Sequence, residues 1–184
     1  MRVVSLGYLT ALMLLSPIPA AQAETGCGGK DFPTLCMTVD IQGAAQLKGA
    51  STTAVLFQSC AEWADARANA NGRQAISFLM SEFTPVSGVA FGLIGFVQKY
   101  AGPGTYVDKA LSSEGQNFAI QIGEQRWYNH NDFSKTPAKA TMTVAADGSG
   151  ALTFSNFTLL NNKLDPPFPS TAGTIAWTCA DPKK

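Results

Sequence analysis

The feature that most constrains this chain is a two-residue hydrophobic period that recurs along it. Ile120 and Ile122 flank Gln121 after Phe118, Met142 and Val144 alternate with Thr141 and Thr143, and Ile175 and Trp177 alternate with Thr174 and Thr178. Successive side chains of a strand point to opposite faces, so the pattern describes strands with one buried and one wet face. Gly, Pro, Asn and Ser clusters separate the segments. Further strands are expected at Leu35 to Ile41, Gln74 to Met80, Val89 to Tyr100 and Leu152 to Leu160. In the last, Leu152 and Phe154 share one parity and Phe157 and Leu159 the other, so a bulge near Asn156 is needed to bring them to one face.

The clearest hairpin is ATMTVAADGSGALTF, in which two alternating arms flank Asp147-Gly148-Ser149-Gly150. Glycines there permit the positive φ of a tight turn. The same four residues resemble part of a calcium loop, but the further acidic positions and the closing glutamate are missing at the required spacing. One helix is expected in SCAEWADARANANG, beginning after Ser59 and ending near Gly72. The GPG and SSEG clusters between Ala101 and Gln116 read as surface loop. About seven or eight short strands in one domain point to a mainly β fold, a two-sheet antiparallel sandwich of Ig-like kind with one short helix.

The N-terminus has the three-part layout of a secretory signal peptide: Arg2, the apolar run VVSLGYLTALMLL, Pro17 and Pro19, then the small-residue tripeptide AQA. Cleavage is expected between Ala23 and Glu24, so residues 1–23 form the leader and 24–184 a single β-sandwich domain. That domain, 184 residues less 23 or 161, is long enough to bury a sizeable core. The apolar run is too short to span a bilayer, and no second segment is apolar enough to do so. Cys27 lies just beyond the cleavage region, but Glu24 occupies the position where a lipoprotein signal requires an aliphatic residue, so a soluble protein released to the periplasm or the exterior is favoured over a lipid-anchored one. Thirteen basic and thirteen acidic residues cancel, with no run of either sign, which removes the field that nucleic acid or anionic lipid requires.

All four cysteines, Cys27, Cys36, Cys60 and Cys179, lie in the exported part and read as two disulfides, with three connectivities possible. Cys27 and Cys36 bracket a short loop and can pair locally. Cys179 shares the parity of Ile175 and Trp177, so it should point inward and pair with Cys60. Trp177 is then expected beside a disulfide. No cysteine pair has zinc spacing and the chain has one histidine, so neither a metal site nor a cofactor is expected.

YAGPGTY at 100–106, TVAADGSGALTF at 143–154 and GTIAWTC at 173–179 together resemble small exported bacterial envelope β-sandwich proteins, distantly similar to the mycobacterial lipoprotein-antigen type. The resemblance covers the C-terminal half best and rests on turn and strand-end motifs. It implies a surface-associated sandwich without catalytic residues to carry over.

Catalytic constellations find little support. A serine triad would have only His130 as its base, and no G-x-S-x-G elbow is present. Oxidised cysteines are not nucleophiles. Paired carboxylates of a secreted hydrolase remain an alternative, with Glu62 and Asp65 on one helix face; an acidic pair near a helix start is more commonly solvated. The sequon Asn156-Phe157-Thr158 falls inside a strand. These readings favour a secreted, non-catalytic binding or envelope-interaction module, with a hydrolase and a purely structural surface protein as rivals.

The stretch RWYNHND, Arg126 to Asp132, is the candidate binding site. If the strand from Phe118 runs on with unbroken alternation, Trp127 faces outward where the pattern turns polar. A loop at the sheet end is the simpler reading. In the functional one, Trp127 and Tyr128 form an aromatic platform, and Asn129, His130, Asn131 and Asp132 hydrogen-bond a polar small molecule, a glycan or a cell-surface protein.

Overall fold

The computed structural model describes residues 27–65, 73–75, 84–111, 118–129, 136–159 and 167–183. The leader expected over 1–23, the helix beyond Asp65 and the strand beyond Ala75 lie outside them. The described strands are β1 (Thr34–Gly43), β2 (Leu47–Ala54), β3 (Arg73–Ala75), β4 (Thr84–Val86), β5 (Val89–Ile94), β6 (Phe96–Gln98), β7 (Gly104–Val107), β8 (Ala119–Ile122), β9 (Gln125–Tyr128), β10 (Lys139–Val144), β11 (Gly150–Leu159) and β12 (Ser170–Ala180). One short helix, α1 (Cys60–Asp65), and a 3-10 turn (Asp108–Leu111) accompany them. Among the described residues the chain is therefore mainly β with one short helix, and its strand pairs are antiparallel.

The expected division into two facing sheets does not appear in the strand order. One path runs β2-β1-β12-β11-β9-β8-β5-β4, with β10 beside β11 and β7 beside β10, while β3 and β6 form a separate pair. The two ends of the path approach each other: the Ser87 hydroxyl, just after β4, donates to the Lys48 carbonyl of β2 at 2.8 Å. The main sheet is thus curled nearly into a barrel.

β11 makes that curl possible. Gly150 to Ser155 pairs with β10, Thr158 and Leu159 pair with β9, and β12 stays on the other side throughout. The register shifts between Phe154 and Phe157, and Asn156 takes a φ of 56°. This is the bulge expected from the parity change; an extra residue bends the strand and increases its twist. Phe154 and Phe157 are both buried as a result, with their rings 4.9 Å apart. Thr158 is buried too, and Asn156 Nδ2 donates to the Pro137 carbonyl, so the sequon is used by the strand itself.

The inward rows follow the alternation. Leu35, Met37, Val39 and Ile41 of β1, Ala140, Met142 and Val144 of β10, and Ile175 and Trp177 of β12 are buried, while Thr38, Thr143 and Thr174 are exposed. Each large apolar side chain so covered contributes roughly 1.5–3 kcal/mol relative to exposure. The strand expected over Val89 to Tyr100 is broken at Gly95, and β6 leaves the main sheet to pair with β3. The loop expected over 101–116 contains β7, whose pairing with β10 from Thr141 to Val144 gives its backbone groups partners.

The structure joins Cys27 to Cys36 and Cys60 to Cys179, the connectivity expected from parity. The β10–β11 turn packs onto the second bond. Gly148 has φ 79°, and a Cβ there would lie 3.0 Å from the Cβ of Cys179 and from the carbonyl oxygen of Cys60. Trp177 Nε1–H donates to the Gly148 carbonyl at 3.0 Å, and the Cys60 N–H donates to Asp181 Oδ1 at 2.6 Å. Helix, hairpin turn and last strand are tied together at this corner.

Candidate functional site

Arg126 to Asn129 of the candidate stretch are described; His130, Asn131 and Asp132 lie outside the described residues. The four described residues are placed by a hairpin that the sequence reading did not anticipate. β8 and β9 are arms of four residues each, joined by Gly123-Glu124, and Gly123 takes a φ of 59°. Two-residue hairpin loops require positive φ at a central position, which glycine supplies without a Cβ penalty. The register pairs Ile122 with Gln125, Gln121 with Arg126, Ile120 with Trp127 and Ala119 with Tyr128.

This register reverses the expected direction of Trp127. Directly opposed residues share a face, so Trp127 joins Ile120 in the core and is 1 % exposed. Continuing the alternation through Glu124 as one strand would have sent it outward; the two-residue turn exchanges the parity of every residue after it. The aromatic platform expected from Trp127 with Tyr128 is therefore not a surface feature. Tyr128 is half-buried beside Thr158 of β11, and Arg126 Nε donates to Gln121 Oε1 at 3.2 Å on the opposite face.

Asn129 lies just beyond the end of β9 and is half-buried. Its backbone N–H donates to the Phe118 carbonyl at 3.0 Å. Its side-chain oxygen and Trp127 Nε1 are both buried without a hydrogen-bond partner, as is Trp63 Nε1 on α1. Burying such a group unpaired costs about 1–3 kcal/mol, and buried polar groups are nearly always partnered. Leu159 opposes Trp127 from β11, and Phe118 meets Phe157 edge-on at 5.7 Å. Among the described residues, the buried polar side chains are Thr53, Gln121, Thr158 and Thr171, and none is charged.

Other places weighed from the sequence are occupied by structural roles. Ser59 Oγ accepts the Glu62 N–H at 3.0 Å and caps the start of α1, while the Glu62 carboxylate accepts the Gln58 N–H at 3.0 Å. Asp147 Oδ1 accepts both the N–H and the hydroxyl of Ser149, which together hold its carboxyl below the ordinary carboxylate value. Two shallow hollows on the outside flank Asp40, one reaching Gln46 and Lys48 and the other Ala172 and Thr174. Asp40 is held below its ordinary value by the Lys48 ammonium at 3.0 Å and by Gln42. No group of three or more His, Cys, Asp and Glu side chains able to hold a metal ion occurs among the described residues, and no described helix is long and apolar enough to cross a membrane.

The reading from sequence missed β9 as a separate arm and with it the unpaired indole. The signal was present as AIQI-GE-QRWY, two four-residue arms about a Gly-containing pair. Fold and site together define a barrel-like antiparallel β protein with two disulfides, whose buried polar side chains are uncharged among the described residues. No family model matches the chain, and no curated protein or solved structure matches it.

Proposed function

We propose that this chain is an exported, non-catalytic binding module of the cell envelope that binds a small uncharged molecule at the end of β9. The observation that carries the reading is the pair of buried, unpartnered polar atoms, Trp127 Nε1 and Asn129 Oδ1, at one strand end. Neither atom has a hydrogen bond within the protein, so a guest that reached either would meet no competing partner there. No buried side chain among the described residues is charged, which favours a neutral guest over one whose charge would lack a counter-ion. Export is supported by the leader-like N-terminus and by two disulfides, which persist in oxidising compartments. The resemblance to envelope proteins belongs to the same proposal.

A thermal-shift screen of the oxidised protein against neutral small molecules and glycans tests it. At least one compound should raise the melting temperature of the parent and not of Trp127→Phe, and assays on glycosides and esters should show no turnover. A library without a single Trp127-dependent hit, or turnover lost in a Glu-to-Gln variant, would sink the proposal.

A further inference from the structure

We propose that the Cys27–Cys36 disulfide is a thiol-exchange site, opened by an external dithiol while the barrel and the Cys60–Cys179 bond persist. Cys36 occupies an outward position of β1, between the buried Leu35 and Met37, and is paired with Thr178 of β12 on one side and Thr52 of β2 on the other. The Cys27 sulfur lies 3.7 Å from the exposed Thr178 hydroxyl on the same outer face, and both cysteines are only half-buried. Exchange requires a thiolate to reach a disulfide sulfur, so a bond on the outside of the sheet is open to attack. Strand β1 does not depend on that bond, because its residues from Thr34 to Ile41 are paired with β2 and with β12 at once. Residues 27–33 belong to no strand or helix; Lys30, Asp31 and Phe32 are exposed, and the Pro33 carbonyl accepts the Val55 N–H at 2.9 Å where the segment enters the sheet.

The second disulfide is held differently. Cys60 is 4 % exposed and begins α1, while Cys179, itself half-buried, lies within β12. The Cys60 N–H donates to Asp181 Oδ1, and the Gly148 turn, fixed by the Trp177 hydrogen bond, packs onto both cysteines. These contacts keep Cys60 and Cys179 side by side once reduced, which favours re-formation of their bond. Cys27 is carried by a segment outside the sheet, so opening its bond lets the thiol leave Cys36, which favours the reduced form. On the chain-entropy relation a loop of nine residues constrains the unfolded chain less than one of 119, so the fold loses less with it. In the exchange, one thiolate of the dithiol attacks a sulfur of the pair, forms a mixed disulfide and expels the other cysteine as a thiolate. The second thiol then displaces the protein sulfur. The dithiol ends as a disulfide, its two electrons and two protons pass to Cys27 and Cys36, and residues 27–33 are released from the outer face with β1 left in place.

Thiol trapping under native conditions tests the proposal. The oxidised protein is held in graded dithiothreitol, free thiols are alkylated with iodoacetamide at intervals, and each cysteine is read by peptide mass spectrometry while near-ultraviolet circular dichroism follows the packing. Cys27 and Cys36 should be trapped together, about tenfold faster or more than Cys60 and Cys179, with the near-ultraviolet signal retained while only they have reacted. A double variant, Cys27→Ser with Cys36→Ser, should keep that signal and leave Cys60 and Cys179 resistant at the same dithiothreitol concentration. Equal trapping of all four cysteines, earlier trapping of Cys60 and Cys179, resistance of all four until the signal is lost, or loss of the signal in step with Cys27 and Cys36 overturns the proposal, as does a double variant that lacks the signal.

Discussion

Two tryptophans on neighbouring parts of the sheet have the same burial and opposite hydrogen bonding. Trp177 on β12 is 3 % exposed and gives its indole N–H to the Gly148 carbonyl, next to the Cys60–Cys179 bond. Trp127 on β9 is 1 % exposed and its N–H has no partner. Burial alone therefore does not separate a hydrogen-bonded indole from an unpaired one. At the disulfide corner the donors meet acceptors fixed by the turn and the C-terminal segment, so the corner is complete without any other molecule. At the end of β9 the apolar contacts are complete and the polar ones are open.

The corner should be the more costly region to disturb. Reducing the Cys60–Cys179 bond releases a loop of 119 residues, and the chain-entropy relation puts the loss at up to about 4–5 kcal/mol. The melting temperature should fall sharply with dithiothreitol and be unaffected by EDTA; the reverse result would replace the disulfide account with a metal. Next in size is Gly148→Val. It combines a disfavoured φ with a Cβ pressed against both bonded cysteines, and chemical denaturation should show a loss of about 2 kcal/mol or more. A variant of full stability would remove the turn from the corner.

The sharpest comparison is between Trp177→Phe and Trp127→Phe. The first strands the buried Gly148 carbonyl and should lose about 2 kcal/mol, whereas the second removes a donor that had no acceptor and should leave stability within about 1 kcal/mol of the parent. Equal losses in urea titrations would show that the two indoles do not differ in the way their hydrogen bonding implies. The smallest effect concerns acid. Asp147 is lowered from its ordinary 3.8 by the Ser149 hydroxyl and N–H. A carboxyl with a depressed folded value contributes stability that is present above the unfolded value and is lost as pH falls through the folded one. Stability of the parent should therefore drop slightly more than that of Asp147→Asn on acidification below about pH 4, and identical acid profiles would show that the turn does not use the charge.

Much of the fold was legible because a period of two is a local property. The inward rows of β1, β10 and β12, the hairpin around Asp147 to Ser149 and the Asn156 bulge all follow from the spacing of apolar residues and the placement of turn formers. The cysteine pairing was legible for the same reason: Cys179 shares the face of Trp177, and Cys27 lies nine residues from Cys36. The candidate site was legible only as a location. Trp127, Tyr128 and Asn129 were singled out as aromatic and amide groups at a strand end, but the direction of Trp127 came out reversed because one unbroken strand was assumed where Gly123-Glu124 turns the chain.

The sequence by itself determined a mainly β chain, its buried faces and the cysteines that join its ends, since each of these depends on side-chain chemistry within a few residues. Only the tertiary structure decided that one continuous sheet curls until Ser87 meets Lys48, that β11 serves β10 with one half and β9 with the other, and which buried indole finds an acceptor. Those outcomes depend on register between strands far apart in the chain. A hydrogen bond such as Trp177 to Gly148, between residues 29 positions apart, exists only once the chain between them has folded back to bring the two together.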